Sequence, residues 1–363
     1  MCKAFINFAL LKLLIVILFI TSNSFSQTEN DVWIEGRAKL GFLAAHSSVM
    51  GHLAKQHAKS IELGVALQTR GKKNWHKAYN FPIISLTAFY STVGNREILG
   101  NYVGAFGSLN LPLIKRKYYS FSAKLGAGMA YTNKAYDSES NILNVAISTN
   151  INARITIGID NQFVFGNHSY TVGIDASHYS NAAVQTPNLG LNLPFISLGY
   201  GYRINRSLDT INVQLREDKY WEYGLLGILS VKEVFPTGGS KYPVYGLNFF
   251  GRRFFGPKTG MEVSLDFISK QIIQIYQDDV EKTQAEILQI GAFVGFILPF
   301  DRFHLITGMG VYLKDKYKPE DAFYHRVGMR YILMNGIQLN LVLKSHWARA
   351  DYMEFGIGYT FKR

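Results

Sequence analysis

An all-β, antiparallel transmembrane barrel of about sixteen strands is the fold this sequence predicts, and three observations predict it. The first is alternation. Ile61, Leu63, Val65 and Leu67 alternate with Glu62, Gly64, Ala66 and Gln68. Phe121, Ala123, Leu125, Ala127 and Met129 alternate with Ser122, Lys124, Gly126, Gly128 and Ala130. A period of two places one set on an apolar face and the other on a polar or small one. The second is composition. The chain holds 22 Tyr and 25 Phe but only 9 Pro, which suits long strands capped by aromatic girdles. The third is the end of the chain, Phe355-Gly-Ile-Gly-Tyr-Thr-Phe361, an alternating strand with a terminal aromatic followed by Lys362 and Arg363. A soluble β-sandwich is the alternative, but the alternating runs of ~10–14 residues exceed the ~5–6 usual for globular strands.

Along the chain, residues 1–26 read as a signal peptide. Lys3 supplies positive charge, Ala4 to Ile20 are mostly apolar, and Thr21 to Ser26 are small or polar apart from Phe25. The single cysteine, Cys2, lies inside that segment, so the exported part has neither a disulfide nor a thiol nucleophile. The formal charge of +12 suits an anionic lipid surface. Export and the even spread of Lys and Arg argue against nucleic acid.

Strand-like segments follow near 33–45, 59–71, 82–94, 98–111, 117–131, 142–160, 168–180 and 193–205. Eight more run from about 219 to 361, beyond a polar stretch at 206–218. The chain thus divides into residues 27–208 and 209–363, and the second half reads as a degenerate repeat of the first. Gly104-Ala-Phe-Gly-Ser-Leu-Asn-Leu-Pro112 is echoed by Gly291-Ala-Phe-Val-Gly-Phe-Ile-Leu-Pro299. Lys124 to Tyr131 is echoed by Ile306 to Tyr312, and Ser177-His178 by Ser345-His346. One barrel of about sixteen strands is the reading preferred here, and two eight-stranded barrels the alternative. Counting strands from a periplasmic start puts the 181–192 loop at the cell surface.

The candidate site lies at the end of the seventh strand. Tyr170, Val172, Ile174, Ala176, His178 and Ser180 share one face. His178 and Ser180 then have Cα atoms about 6.6 Å apart, close enough for an imidazole to take a hydroxyl proton. They continue the apolar face, which in a membrane barrel meets lipid. Asn192 opens the next strand, and Pro194, Ile196, Leu198, Tyr200 and Tyr202 continue its face. Asn192 therefore joins the same wall. A serine, a histidine and a third group that orients the imidazole form a nucleophilic triad arrangement.

His178-Tyr-Ser-Asn-Ala182, then Pro187-Asn-Leu-Gly190, then an alternating aromatic strand, resembles the lipid A 3-O-deacylase family (PagL-type, acyloxyacyl hydrolase-like). The resemblance covers about residues 120–205. It implies an eight-stranded outer-membrane barrel that removes an ester-linked acyl chain from lipid A. By it, Ser180 is the nucleophile and His178 the base, and Asn181 with the backbone N–H of Ala183 stabilises the oxyanion. Two residues depart from the pattern: Asn192 stands where the family carries glutamate, and Ala183 replaces a glycine. The chain is also about twice the usual length. The His-x-Ser arrangement with a downstream Asn is similar to outer-membrane phospholipase A, a barrel esterase with a Ser-His-Asn triad.

Other candidates read as background. His346 and Glu354 fall on lumen parity, with Ala348 where a serine would be needed. His46, His52 and His57 crowd one loop with no Cys, Asp or Glu beside them, and are expected to be solvated rather than metal-binding. The expected partner is lipid A or a phospholipid in the outer membrane, with no cofactor or metal. The competing expectation is a non-catalytic pore or scaffold, which an open lumen would favour.

Overall fold

The computed structural model describes residues 31–205, 219–233, 237–275, 281–347 and 349–362. The predicted signal peptide, the polar stretch at 206–218 and Ala348 lie outside them. Sixteen antiparallel strands appear among the described residues, and they close as two eight-stranded barrels, the alternative the sequence offered, rather than as the single barrel preferred there. The first comprises β1 (Asp31–Gly41), β2 (Ala58–Gln68), β3 (Ile83–Thr92), β4 (Asn101–Lys115), β5 (Tyr119–Thr132), β6 (Ile151–Phe165), β7 (His168–Ser180) and β8 (Leu191–Asn205). The second comprises β9 (Tyr220–Glu233), β10 (Lys241–Gly256), β11 (Thr259–Lys270), β12 (Leu288–Phe300), β13 (Phe303–Lys314), β14 (Phe323–Ile332), β15 (Ile337–His346) and β16 (Arg349–Lys362).

The seams decide the count. β1 pairs with β8, with Leu40 opposite Ile196 and Ile34 opposite Tyr202. β16 pairs with β9, with Phe355 opposite Leu229. A single barrel needs β8 to pair with β9, yet β8 is already bonded on both edges. The segments echoed in the sequence fall on the fourth and fifth strands of each barrel, β4 and β5 against β12 and β13.

The alternation read from the sequence sorts outside from inside. Ile61, Leu63, Leu86, Ile157, Ile174, Leu198, Val263 and Ile357 are exposed on the outer walls. At a rise of about 3.3 Å per residue and a tilt near 40°, strands of this length span roughly 30 Å, a bilayer's apolar core.

Inside, both barrels are filled. In the first, Arg37 meets Asp160 at 2.7 Å, Lys39 meets Asp175 at 2.6 Å and Arg154 meets Glu62 at 2.6 Å. In the second, Arg252 meets Glu262 at 2.7 Å and Arg326 meets Glu354 at 2.9 Å. A buried charge is tolerable only when paired, and these pairs occupy the space a channel would need. An eight-stranded barrel is just wide enough for its side chains.

Each barrel has a loop end and a turn end. Loops 42–57, 133–150 and 181–190 of the first barrel gather at one end, and short turns such as 166–167 lie at the other. The barrels meet at both. At the loop end, Thr186 donates from its backbone N–H and its hydroxyl to the Glu233 carboxylate. At the turn end, Lys73 pairs with Asp301 at 2.7 Å, and Trp75 and Tyr79 pack on Phe300 with ring centroids 5.9 and 4.7 Å away.

Candidate active site

The site is built on the β7–β8 hairpin. Tyr179, Leu191 and Leu193 are fully buried in a cluster at the loop end of the first barrel, with Phe89, Phe106 and Ile147. Burying such a side chain contributes about 1.5–3 kcal/mol. With these residues committed inward, the period of two sends His178, Ser180 and Asn192 outward. All three are half-buried and continue the face of exposed Val172, Ile174 and Ile196.

His178 and Asn192 are direct cross-strand partners. Their side chains meet, with His178 Nδ1 2.7 Å from Asn192 Oδ1. A carbonyl oxygen there accepts from Nδ1–H, so the ring's other nitrogen, Nε2, carries the lone pair a general base needs. Gly190 lies against the ring. A Cβ at that position would sit 2.6 Å from His178 Cε1, and the residue's φ of 76° also favours glycine. Asp175, on the opposite face, is bound to Lys39 in the lumen.

Ser180 ends the strand. Its Oγ accepts from the Ala182 N–H at 2.9 Å and from Asn188 Nδ2 at 3.0 Å. Among the described residues no hydrogen bond joins Ser180 to His178. Ala182 and Ala183 both take left-handed backbone, φ 57° and 61°, so the chain reverses tightly just after the serine. Asn181 is turned inward. Its side-chain amide donates to Ser148 Oγ at 3.0 Å and to the Gln185 carbonyl at 2.8 Å, and its backbone N–H donates to Asn188 Oδ1 at 3.0 Å. The amide expected near an oxyanion is thus occupied in knitting the loop.

Loop 133–150 supports the hairpin from below. The Gly190 N–H donates to the Ala146 carbonyl at 3.0 Å, and Ser148 and Gln185 exchange hydrogen bonds of 2.9 and 3.1 Å. Asp137 folds that loop by accepting from the Ser140 N–H and hydroxyl at 2.7 and 2.8 Å, bonds that hold its carboxyl below the usual range.

Two contributors were not assigned a role from the sequence. Asn188 was visible only as part of a motif. His46 was expected to be solvated; it is exposed, but its Nδ1 lies 3.1 Å from Asn192 Nδ2. No periodicity links a loop side chain to a strand 146 positions away.

The second barrel holds a group with metal-ligating atoms, Glu320, His346 and Asp351, all within 4.8 Å of one another. Lys270 lies 2.7 Å from both carboxylates, and Lys232 2.6 and 2.5 Å from them. Those ammonium groups already neutralise the acids, so the chemistry is that of an ion-pair cluster.

Strands that expose aliphatic walls, close on themselves and fill their lumens with ion pairs define an eight-stranded membrane barrel, here carried twice, with His178, Ser180 and Asn192 on one outer wall. Residues 59–203 match the family model described as lipid A 3-O-deacylase (PagL), and residues 220–363 match that of the acyloxyacyl hydrolase C-terminal domain. Between them the two matches take in all of the second barrel and the first from β2 onward, β1 lying outside, and support a place in the PagL-type family, a family of hydrolases. Family and fold together point to the outer membrane. No curated protein matches the chain. Among solved structures, a mutant of Rh. blastica porin is 8% identical over 91% of this chain and 100% of that one, with a TM-score of 0.19. CdiB from Acinetobacter baumannii is 10% identical over 90% of this chain and 60% of its own, at 0.17. Likeness at that level carries no argument, and the strand pairing carries the fold.

Proposed function

We propose that this protein is an outer-membrane serine esterase that removes an ester-linked acyl chain from lipid A. The observation that carries the proposal is the His178–Asn192 hydrogen bond on the lipid-facing wall, two residues from Ser180 and beside the loop that holds its hydroxyl. The 3-O position in the name of the matching family is the first ester to test.

In this reading Ser180 Oγ turns about χ1 from Asn188 toward His178 Nε2, a short movement of a kind that apo sites often require. His178 takes the hydroxyl proton as Oγ bonds to the acyl carbon. The tetrahedral oxyanion is met by N–H groups of the 182–183 turn, where Ala183 was expected to contribute, and by the Asn188 amide. Asn181 acts indirectly, by bracing that turn. The ester C–O bond breaks, and His178 gives its proton to the departing sugar oxygen. Water then attacks the acyl-serine with His178 again as base, releasing the fatty acid. Asn192 orients the imidazole but brings no charge to offset the imidazolium.

A phospholipid ester would be cleaved by the same groups. The pore reading loses its main support, because both lumens are packed with paired charges. The test is mass spectrometry of lipid A from cells expressing wild type or Ser180→Ala. Loss of one acyl chain with wild type only is the expected result, and identical lipid A from both rejects the assignment.

A further inference from the structure

An asparagine in the orienting position raises a problem a carboxylate does not have. Its side-chain amide has two unlike ends of nearly the same shape. With Oδ1 toward His178, the imidazole keeps its proton on Nδ1 and its lone pair on Nε2, facing the nucleophile. With the NH2 group toward His178, Nδ1 must accept, the proton moves to Nε2, and the base is blocked. Something must choose between the two.

We propose that His46 makes that choice, as a positioning residue that fixes the amide of Asn192. Its Nδ1 lies 3.1 Å from Asn192 Nδ2, on the far side of the amide from His178, whose Nδ1 lies 2.7 Å from Oδ1. His46 keeps that bond as an acceptor when its own proton is on Nε2, the tautomer a solvent-exposed neutral imidazole prefers. With His46 in that tautomer, a flipped amide would present Oδ1 to its lone pair and NH2 to His178, so the first bond survives only if His46 gives up its preferred tautomer, and the wrong tautomer is forced on the second ring.

The backbone brings His46 there. Past the end of β1 the ladder with β8 continues, with the Phe42 N–H to the Pro194 carbonyl at 3.3 Å and the Ala44 N–H to the Asn192 carbonyl at 2.9 Å. The strands run so close that a Cβ on Gly41 would lie 2.0 Å from the Pro194 oxygen. Leu40 and Phe42 are exposed on the outer face. His46 continues the same parity and arrives on the wall that carries Asn192.

The inference rests on the esterase reading, and its test separates the two. The first readout needs no turnover. Nitrogen chemical shifts of histidine-labelled protein, assigned with His178→Gln, report which ring nitrogen of His178 holds the proton. Wild type should show Nδ1–H. His46→Phe, which cannot accept, should shift His178 toward Nε2–H, and His46→Glu, whose carboxylate can only accept, should restore it. The second readout is acyl-ester hydrolysis. His46→Phe should lose about tenfold, the worth of one neutral hydrogen bond, and His46→Glu should recover most of it. In an Asn192→Asp background, where both ends of the group are oxygen, His46→Phe should cost less than about threefold, since no orientation remains to be chosen. An unchanged tautomer in His46→Phe, or equal losses in the two backgrounds, overturns the proposal. Wild-type turnover no greater than that of Ser180→Ala overturns the esterase reading instead, and leaves the tautomer result standing.

Discussion

The last hairpin of each barrel occupies the same place in its ring, yet the two present their histidines to different sides under different loops. In the first barrel, β7 and β8 are joined by residues 181–190, long enough to fold Ala182, Asn188 and Gly190 back over Ser180 and His178. In the second, β15 ends at His346 and β16 begins at Arg349, and those two residues pair in register. Parity differs as well. His178 points outward, whereas His346 is buried in the lumen, 3.7 Å from Asp351 and 3.3 Å from the Tyr312 hydroxyl. Two hairpins with a shared Ser-His dipeptide thus differ in direction and in loop. A histidine becomes a candidate base through its face and its cover, not through its neighbour in sequence.

The largest effect expected breaks the active side of this comparison. Ser180→Ala or His178→Ala should each cut lipid A deacylation by about a thousandfold or more, as loss of a triad member does, while protease resistance of the barrel in bilayers stays at the wild-type level. A rate within tenfold of wild type for either variant removes that residue from the mechanism.

Gly190→Ala comes next. A methyl 2.6 Å from His178 Cε1, on backbone with φ 76°, must displace the ring or the loop. Single-turnover hydrolysis should fall by about ten- to a hundredfold. An unchanged rate means that the ring's seat is not set by the loop.

Glu233→Gln tests whether the second barrel supports the first. Its carboxylate accepts from the Thr186 N–H and hydroxyl and from the Gly238 N–H at 3.0 Å. Weakening these charge-assisted bonds should speed hydrogen exchange across 181–190 and lower the rate by about threefold to tenfold. Exchange confined to its wild-type rate would mean that the loop stands without the second barrel.

The smallest effect belongs to the silent hairpin. His346→Ala should leave turnover within about twofold of wild type and destabilise the barrel by about 1–3 kcal/mol, through loss of a buried polar partner. A marked loss of activity would undo the contrast between the two hairpins.

The sequence made the walls and the site's parity legible because a period of two is a local property. Val172, Ile174, Ala176 and His178 can be assigned one face without knowing any other strand. The number of barrels was not legible, because closure depends on which strand lies beside β1. Leu40 opposite Ile196 is a pairing across 156 residues that the local pattern fits equally well in either closure. The sixth strand was placed from 142, but it begins at Ile151. Ile142 and Leu143 look strand-like, yet Asn141 and Asn144 bond back to the carbonyls of Ala135 and Lys134 and fold that stretch as loop. The same long reach hid His46, which meets Asn192 only through the β1–β8 seam.

One consequence follows from how local the hairpin is. Its proposed nucleophile, the proposed base, the partner of that base and the residues over them all lie between 178 and 192. So short a block can pass between barrels by a single recombination, as a cassette. What would not travel with it is Ser148, His46 and Glu233, each supplied by a different loop or barrel. On the proposed function, a host that received the cassette would inherit the proposed reacting groups at once and acquire their support only by later change.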